Sequence, residues 1–296
     1  MSKLESSSIA LQKDAPGLYG THMIEAVPYS EYDFSYKFFF DYLAKPPKTL
    51  ENPRYLDIAA GNQARTIAGW EKVVKKSPYW SSVYSRDILE PEFKADPPSH
   101  GFIYRPFRVH DMRQSWRSAG LIDNCIDAAV FSWALHWFGE NGHRVALDEL
   151  ARVLRPRAPI LISTLSAYDV AIKNITFFRS VIDKSELREA YPNLPIIRSH
   201  DQDNKPTWVV RLDDILEDQI RQKGYFINSG HIKSKLGANE RIGFTSTYLR
   251  NEFEKRGFEI IHEVVKPNRD FSNEYPPTLL KGRTKLIYLL RNKALK

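Results

Sequence analysis

Cysteine is nearly absent from this chain of 296 residues, in which Cys125 is the only one. A single cysteine excludes an internal disulfide framework and a cysteine-rich zinc site. Because Cys125 lies beside an apolar run, we predict a buried thiol rather than a nucleophile. Histidine and carboxylate residues are also not clustered at the spacing of metal ligands, so we expect no metal site.

Long hydrophobic runs are missing as well, since no stretch of about 18 apolar residues occurs. The first residues, Met1 to Ser8, lack the apolar segment of a secretory signal peptide. Together these absences predict a cytoplasmic protein that does not span a membrane.

Basic residues outnumber acidic ones, and the formal net charge is +7. The lysines and arginines are spread along the chain, and no aromatic-basic signature of an RNA-binding module is present. The charge therefore favours a solvated surface that attracts an anionic substrate, with a nucleic-acid partner as the weaker alternative. These features predict one elaborated globular core and give no indication of an oligomeric state.

The N-terminal region carries an aromatic stripe. Tyr32, Tyr36, Phe39, Phe40 and Leu43 are spaced so that they share one face of a helix. Such a face usually packs on a hydrophobic core, and the alternative is that it covers a ligand. We predict that residues 1–50 form a helical cap.

Strand and helix patterns alternate between residues 54 and 163. The predicted strands cover residues 54–59, 81–87, 101–109, 127–131 and 159–163. The run at 127–131 is almost continuously apolar, as in a central strand that is buried on both faces. Alternation of this kind predicts a doubly wound, mostly parallel sheet with right-handed crossovers.

A long insertion interrupts this alternation. Between residues 165 and 242 the regular pattern breaks, and prolines occur at several positions. We predict helices near residues 177–190 and 213–222 in this region. An insertion of this length is typical of a lid or a substrate lobe.

The alternation resumes after the insertion. Thr245 or Ser246 can cap a helix that Gly257 ends. Strands at residues 258–265 and 285–290 then complete the sheet as an antiparallel hairpin. The predicted fold is an α/β sheet of seven strands, mostly parallel with an antiparallel last strand, plus a largely helical lid. The predicted units are the N-terminal cap (1–50), a core (51–165), the lid insertion (166–242) and the C-terminal part of the core (243–296).

Carboxylates occur within, at the end of or just after three neighbouring predicted strands. Asp57 lies inside the first strand and precedes a turn at Gly61, while Asp87 ends the second strand and Asp111 follows the third. In a doubly wound sheet the carboxyl edge of the strands is where ligands bind. An acid after the second strand can accept hydrogen bonds from both ribose hydroxyls, and one after the third can accept from an adenine amino group. The pattern therefore predicts a nucleotide site.

At this point the sequence resembles the class I S-adenosylmethionine-dependent methyltransferases over most of the chain outside the insertion. Leu56 to Gly61 stand where the family has its glycine-rich first motif. The most specific stretches are Phe131 to Phe138 and Ala146 to Pro156, which are similar to the family's post-strand helix and its "R-V-L-K-P-G-G" turn. The pair His136-Trp137 is similar to small-molecule carboxyl methyltransferases of the trans-aconitate and malonyl-carrier type.

The resemblance implies a Rossmann-like fold, S-adenosylmethionine as the cofactor and a small-molecule acceptor that is methylated on oxygen or nitrogen, a carboxylate included. The residues expected to bind the cofactor are Asp57, Ala59, Gly61, Gln63, Asp87, Ile88, Asp111, Met112 and Ser132. We predict His136 as the catalytic base, with a packing role as an equal alternative. Candidate substrate contacts are Tyr29, Trp133, Trp137, Arg179 and His200, and core packing explains the two tryptophans as well.

Two departures from the family pattern bear on activity. Where the family has Gly-x-Gly-x-Gly, this chain has Ala59, Gly61 and Gln63, and the Gln63 side chain stands where backbone usually approaches the methionine moiety. The "P-G-G" turn is changed to Pro156-Arg157-Ala158. Reduced cofactor affinity, a reshaped pocket and loss of activity are the three outcomes these changes allow.

Three other functions compete with this prediction. Methylation of RNA or protein would use the same fold, and the positive charge keeps it open. A non-catalytic partner protein that retains the fold is the second rival, because Ala59 and Gln63 depart from the motif. A nicotinamide enzyme is disfavoured, since its fingerprint needs further glycines around a pyrophosphate.

Overall fold

The computed structural model describes residues 38–39, 41–43, 50, 53–58, 82–87, 108–109, 112–132, 134–168, 178–181, 184–200, 203–228, 233–234, 237–238, 241–267 and 284–293. The strands are Arg54–Ile58 (β1), Ser82–Asp87 (β2), Arg108–Val109 (β3), Ala128–Ser132 (β4), Pro159–Leu165 (β5), Phe178–Val181 (β6), Ile197–His200 (β7), Pro206–Arg211 (β8), Tyr225–Asn228 (β9), Lys233–Ser234 (β10), Gly237–Ala238 (β11), Arg241–Phe244 (β12), Phe258–Pro267 (β13) and Thr284–Asn292 (β14). The helices are Gly139–Val153 (α1), Lys184–Ala190 (α2), Leu212–Lys223 (α3) and Ser246–Lys255 (α4). A 3-10 turn covers Leu135–Trp137, and residues 38–39 and 41–43 are helical.

The largest sheet has the strand order β13-β14-β5-β4-β1-β2-β3. Strands β5, β4, β1, β2 and β3 are parallel, and β14 is antiparallel to both β5 and β13. Every residue of β5 is buried, as expected for a strand that is covered on both faces. The structure therefore confirms the predicted α/β fold with a mostly parallel sheet and an antiparallel last strand.

The sheet separates two hydrophobic cores. Alternate residues of the strands point to opposite faces, so Leu56 and Phe131 pack with α1 and α4 in the first core. Tyr55 and Leu161 belong to the second core, on the other face. Each core therefore depends on the register of the central strands.

The N-terminal helical segment packs on the second core. Phe39 and Leu43 are fully buried there, and the Phe39 ring lies 6.4 Å from the ring of Tyr55. These two residues agree with the prediction that the aromatic stripe packs on a core. The other members, Tyr32, Tyr36 and Phe40, lie outside the described residues.

The described residues of the insertion are not largely helical, contrary to the prediction for this part of the lid. The insertion contains an antiparallel sheet with the order β6-β8-β7 and two further strand pairs, β9 with β12 and β10 with β11. The predicted helix at 177–190 starts only at Lys184, because Phe178 to Val181 form β6. Phe178 pairs with Arg211, and such distant pairing leaves no local periodic signal. The second predicted helix is confirmed as α3, which ends at Gly224 with φ of 80°.

The two ends of the insertion are joined to each other. Ser166 forms a β-bridge with Phe244, and the Ala167 N–H donates to the Phe244 carbonyl at 2.9 Å. Tyr225 and Phe244 are buried in the first core, whereas Phe226 is buried in the second. The described part of the insertion is thus packed on both faces of the large sheet.

The turn that departs from the family's "P-G-G" pattern keeps a conformation suited to glycine. Arg157 has φ of 68°, in the left-handed region that costs a residue with a Cβ about 1–2 kcal/mol. The Arg157 N–H donates to the Asn292 carbonyl at 2.7 Å, and the Asn292 N–H donates to the Ala158 carbonyl at 3.0 Å. Pairing with the end of β14 therefore holds Arg157 in this conformation.

We expect Arg157→Gly to raise the free energy of unfolding by about 0.5–1 kcal/mol, because relief of the left-handed strain exceeds the added flexibility of the unfolded chain. Urea unfolding followed by circular dichroism measures the change. Asn204→Gly is the matched control, since Asn204 has φ of 59° but asparagine tolerates this region. If the free energy of unfolding rises equally in the two variants, the side chain of Arg157 is not a source of strain.

Candidate functional site

The acid of the first strand is buried in the middle of the sheet. Asp57 is 1% exposed and lies opposite Ser85 of β2 and Val130 of β4. It shares the sheet face of Tyr55, by the alternation of a strand. A buried carboxylate needs polar groups that compensate its charge. Asp57 is therefore the residue of β1 around which we expect a polar environment.

The strand order brings two of the predicted cofactor residues, Asp87 and Ser132, to one edge of the sheet. β4, β1, β2 and β3 are consecutive neighbours, and their spacing makes this edge about 14 Å wide. Ser132 ends β4 and Asp87 ends β2, while Asp87 pairs with Val109 of β3. The predicted residues Ala59, Gly61, Gln63, Ile88 and Asp111 lie outside the described residues.

Met112 is placed in the first core rather than on an open surface. Its side chain is 3% exposed, and its carbonyl accepts a hydrogen bond from the Trp116 indole at 2.8 Å. The local fold after β3 is therefore anchored by a buried tryptophan. A cofactor contact by Met112 stays a prediction.

The predicted catalytic base lies in the turn after β4. His136 is 1% exposed, and its ring centre is 5.3 Å from that of Trp137. Trp137 is half-buried and packs against the first core. This burial agrees with the packing alternative, and the catalytic role of His136 and the substrate role of Trp137 stay predictions. Trp133 lies outside the described residues.

Two candidate substrate residues lie on the small antiparallel sheet of the insertion. Arg179 belongs to β6 and pairs with Val210, and the exposed His200 ends β7. These strands are on opposite sides of β8, so the small sheet separates the two residues. Tyr29 lies outside the described residues.

Sequence reasoning missed a polar network between the core and the insertion. The His143 Nε2 atom lies 2.8 Å from the Tyr248 hydroxyl, and its Nδ1 lies 3.0 Å from the Gly139 carbonyl. Because a carbonyl only accepts, Nδ1 carries the hydrogen and Nε2 accepts from Tyr248. Burial lowers the pKa of His143 below its ordinary value, which favours this neutral form.

The same network continues into β9. The Tyr225 hydroxyl donates to Glu140 at 2.6 Å, and the Lys223 ammonium group donates to the same carboxylate at 3.0 Å. Burial and the bond to Glu140 raise the pKa of Tyr225 well above its ordinary value. These partners are more than 80 positions apart in sequence, so no local motif could have indicated them.

A cavity of about 540 Å³ lies between the end of α3 and the start of α4. We call it the α3–α4 cavity. Its lining residues are Ser166, Tyr168, Ile220, Lys223, Gly224, Thr245, Ser246, Thr247, Tyr248, Asn251, Val265 and Leu286. The cavity is therefore bounded by the turn after β5, by both helices and by β13 and β14.

The floor of this cavity is built by helix caps. The Thr245 hydroxyl donates to the Gly224 carbonyl at 2.6 Å and accepts from the Tyr248 N–H at 3.2 Å. Thr245 thus caps α4, as one of the two predicted residues. A Cβ at Gly224 would lie 3.0 Å from the Tyr248 Cβ, so glycine allows the close contact between the two helices.

Within the described residues, no three histidine, cysteine, aspartate or glutamate side chains are grouped so that they could hold a metal ion. Among the described helices, none is both long enough and apolar enough to cross a bilayer.

No protein-family model and no curated protein matches the chain. Among solved structures, it is similar to the 1,6-didemethyltoxoflavin-N1-methyltransferase of Burkholderia thailandensis, crystallised with 1,6-didemethyltoxoflavin and S-adenosylhomocysteine. This match has a TM-score of 0.53 and 14% identity and covers 98% of this chain and 88% of the other.

Two weaker likenesses are to S-adenosylmethionine-dependent methyltransferases. The one from Methanosarcina mazei has a TM-score of 0.47 and 18% identity, over 83% of this chain and 95% of the other. The one from Mesorhizobium loti has a TM-score of 0.46 and 17% identity, over 81% and 91%. The likeness to the Burkholderia enzyme shows that this chain has the Rossmann-like fold of a class I methyltransferase.

Proposed function

We propose that the chain is an S-adenosylmethionine-dependent methyltransferase that acts on a small molecule. The observation that supports this most is the buried Asp57 in a central parallel strand beside β2, which ends in Asp87. This arrangement occurs on a fold shared with an enzyme that was crystallised with S-adenosylhomocysteine and a small-molecule acceptor. Kinship with the trans-aconitate and malonyl-carrier enzymes stays a prediction.

The cofactor would lie across the carboxyl edge of the sheet. In this proposal Asp87 would accept hydrogen bonds from the ribose hydroxyls, Asp111 would accept one from the adenine amino group, and Ala59, Gly61 and Gln63 would bind the methionine moiety. Ile88, Met112 and Ser132 would complete the site. An edge of about 14 Å across four strands accommodates an extended nucleoside with an amino-acid tail.

Bound S-adenosylmethionine supplies an electrophilic methyl group that is already activated by the sulfonium charge. The protein then has to align the acceptor oxygen or nitrogen with this methyl group and keep water out. We propose His136 as the group that takes the acceptor proton, and Trp133 and Trp137 as walls of the acceptor site. Tyr29, Arg179 and His200 would contact the acceptor from the cap (1–50) and the insertion (166–242).

Small molecules are favoured over RNA or protein as acceptors because the basic residues are scattered along the chain rather than gathered in one segment. The enzyme would be cytoplasmic, with the sheet of the core (51–165) completed to seven strands by the C-terminal part (243–296) and covered by the insertion as a lid.

Calorimetric titration with S-adenosylmethionine and S-adenosylhomocysteine tests the proposal. We expect both to bind. Asp87→Ala should weaken the binding of S-adenosylhomocysteine about 10-fold or more, since the buried ribose hydroxyls would lose their hydrogen-bond acceptor. Asp203→Ala is the matched control, because Asp203 is an exposed acid of the insertion and should leave the affinity unchanged. If neither ligand binds, the methyltransferase proposal is wrong, and a non-catalytic protein with a retained fold becomes the favoured alternative.

A further inference from the structure

The α3–α4 cavity reaches the carboxyl end of β5, which is on the same edge of the sheet as the carboxyl end of the parallel strand β4. Ser166 and Tyr168 line it and directly follow β5. The neighbouring strand is β4, whose last residue, Ser132, pairs with Ser163. Adjacent strands are about 4.8 Å apart, so a molecule in the cavity is within a few strand spacings of the edge where the methyl group would be presented.

The polar side of the cavity is suited to an anion. Among the described residues that line it, Lys223 carries the only charge, and none is acidic. Its ammonium group has three donors, of which one is directed to Glu140. Ser246 and Thr247 add hydroxyl donors, and they lie in the first turn of α4, where N–H groups have no acceptor within the helix.

The opposite side of the cavity is apolar and accessible. Tyr168 is 54% exposed and Val265 is 53% exposed, and they are two of the four large hydrophobic side chains that the described structure leaves exposed. Ile220 and Leu286 extend the same wall. Exposed apolar surface inside a concavity indicates a binding site.

The walls are held in place without a ligand. Tyr248 is fixed by its bond to the buried His143, and the start of α4 is bonded to the end of α3 through Thr245 and Gly224. The Ser166 hydroxyl accepts from the Tyr168 N–H at 3.2 Å, which fixes the turn that carries the tyrosine. A site on rigid elements of this kind loses little entropy when it binds.

We propose that the α3–α4 cavity binds the part of the acceptor that lies away from the reacting atom, and that the acceptor is an organic anion with an apolar body. This inference rests on the proposed function. The volume of about 540 Å³ is within the usual range for small-molecule sites. The anionic group is bound by Lys223 and by the first turn of α4, and the apolar body lies against Tyr168 and Val265.

The test uses three matched probes: para-butylbenzoate, para-butylbenzyl alcohol and para-butylbenzylamine. Each is titrated calorimetrically into the full chain saturated with S-adenosylhomocysteine. We expect the carboxylate to bind about 10-fold more tightly than the alcohol, and the amine to bind more weakly than either.

Thr247→Glu is the diagnostic variant. A carboxylate in the first turn of a helix is favourable for the helix, so the protein folds, but the new charge repels an anion. We expect it to abolish the preference for the carboxylate, because the affinity for the carboxylate should fall much more than the affinity for the alcohol. Ser185→Glu adds the same charge to the first turn of α2, outside the cavity, and should change neither.

The results separate this inference from the proposed function. If S-adenosylhomocysteine binds but Thr247→Glu leaves the affinity for the carboxylate unchanged, or the alcohol binds as tightly as the carboxylate, the inference is wrong and the proposed function stands. If S-adenosylhomocysteine does not bind, the proposed function fails and the cavity is not an acceptor site. Tyr168→Ala adds a second check, because loss of the exposed ring should weaken all three probes.

Discussion

Replacing Gly243 by alanine is expected to lower the free energy of unfolding by about 3 kcal/mol. A Cβ at this position would lie 2.5 Å from the Ala167 Cα and 3.0 Å from the Ala167 nitrogen. These are backbone atoms, which cannot rotate away as a flexible side chain does. The clash is relieved only if the two ends of the insertion separate, which breaks the bond from the Ala167 N–H to the Phe244 carbonyl.

Gly142→Ala is the matched control for this variant. A Cβ at Gly142 would lie 2.9 Å from the Cγ and 3.0 Å from the Cβ of the exposed Arg113, so the obstacle is a side chain, which has to shift, rather than backbone. Because Gly142 is inside α1, the higher helix propensity of alanine, up to about 1 kcal/mol, should offset the cost of that shift. Urea unfolding measures both variants. A Gly243→Ala protein as stable as Gly142→Ala would show that the ends of the insertion are not in close contact.

Arg155→Ala is expected to lower the free energy of unfolding by about 3 kcal/mol, because the buried carboxylate of Asp127 loses its ion-pair partner. The Asp127 side chain is 1% exposed, and its carboxylate accepts from Arg155 Nη1 and from the Arg54 N–H, both at 2.9 Å. Without Arg155, the Arg54 N–H is the hydrogen-bond donor to Asp127 that remains among the described residues. Because the Arg155 side chain is itself 37% exposed, the cost should be at the lower end of values for buried pairs.

The cost of Arg155→Ala should depend on pH. Burial already raises the pKa of Asp127, and its bonds to Arg54 and Arg155 offset this only in part. Removal of Arg155 raises that pKa further. An acid with a raised pKa in the folded state destabilises the fold as pH rises through its titration range. The difference in the free energy of unfolding between Arg155→Ala and the unchanged protein should therefore be largest at neutral pH and become smaller in mildly acidic buffer.

Arg117→Ala is the control for the buried pair. Arg117 pairs with Asp123 on the surface, where the side chains are 60% and 53% exposed. Exposed pairs contribute less than about 1 kcal/mol. If urea unfolding shows the two arginine variants to be equally stable at neutral pH, Asp127 does not depend on Arg155.

The core was predictable because its signals are local. The apolar run before Ser132 and the alanine-leucine pattern of α1 indicate a central strand and a helix within a few residues of their actual bounds. The cap at Thr245 could be read from residue type alone. The antiparallel sheet of the insertion could not, since β6 pairs with β8 across a gap that contains α2 and β7.

The candidate site also has one part that could be predicted from the sequence and one part that could not. The positions of Asp57 in the first strand and Asp87 at the end of the second were predictable from the sequence, while their role in binding a cofactor stays a prediction. The α3–α4 cavity was not recognisable, because Tyr168, Lys223 and Val265 come from three distant segments. A pocket of this kind exists only once those segments have packed.

Spacing and residue type along the chain were sufficient for the fold class, the main strands and the proposed cofactor edge, because each depends on neighbours in sequence or on a general rule of sheet topology. Contacts between distant segments were required for the small sheet, the His143 network and the cavity, and also for the left-handed conformation of Arg157, which its pairing with Asn292 maintains. These features depend on which surfaces meet, and no local pattern contains that information.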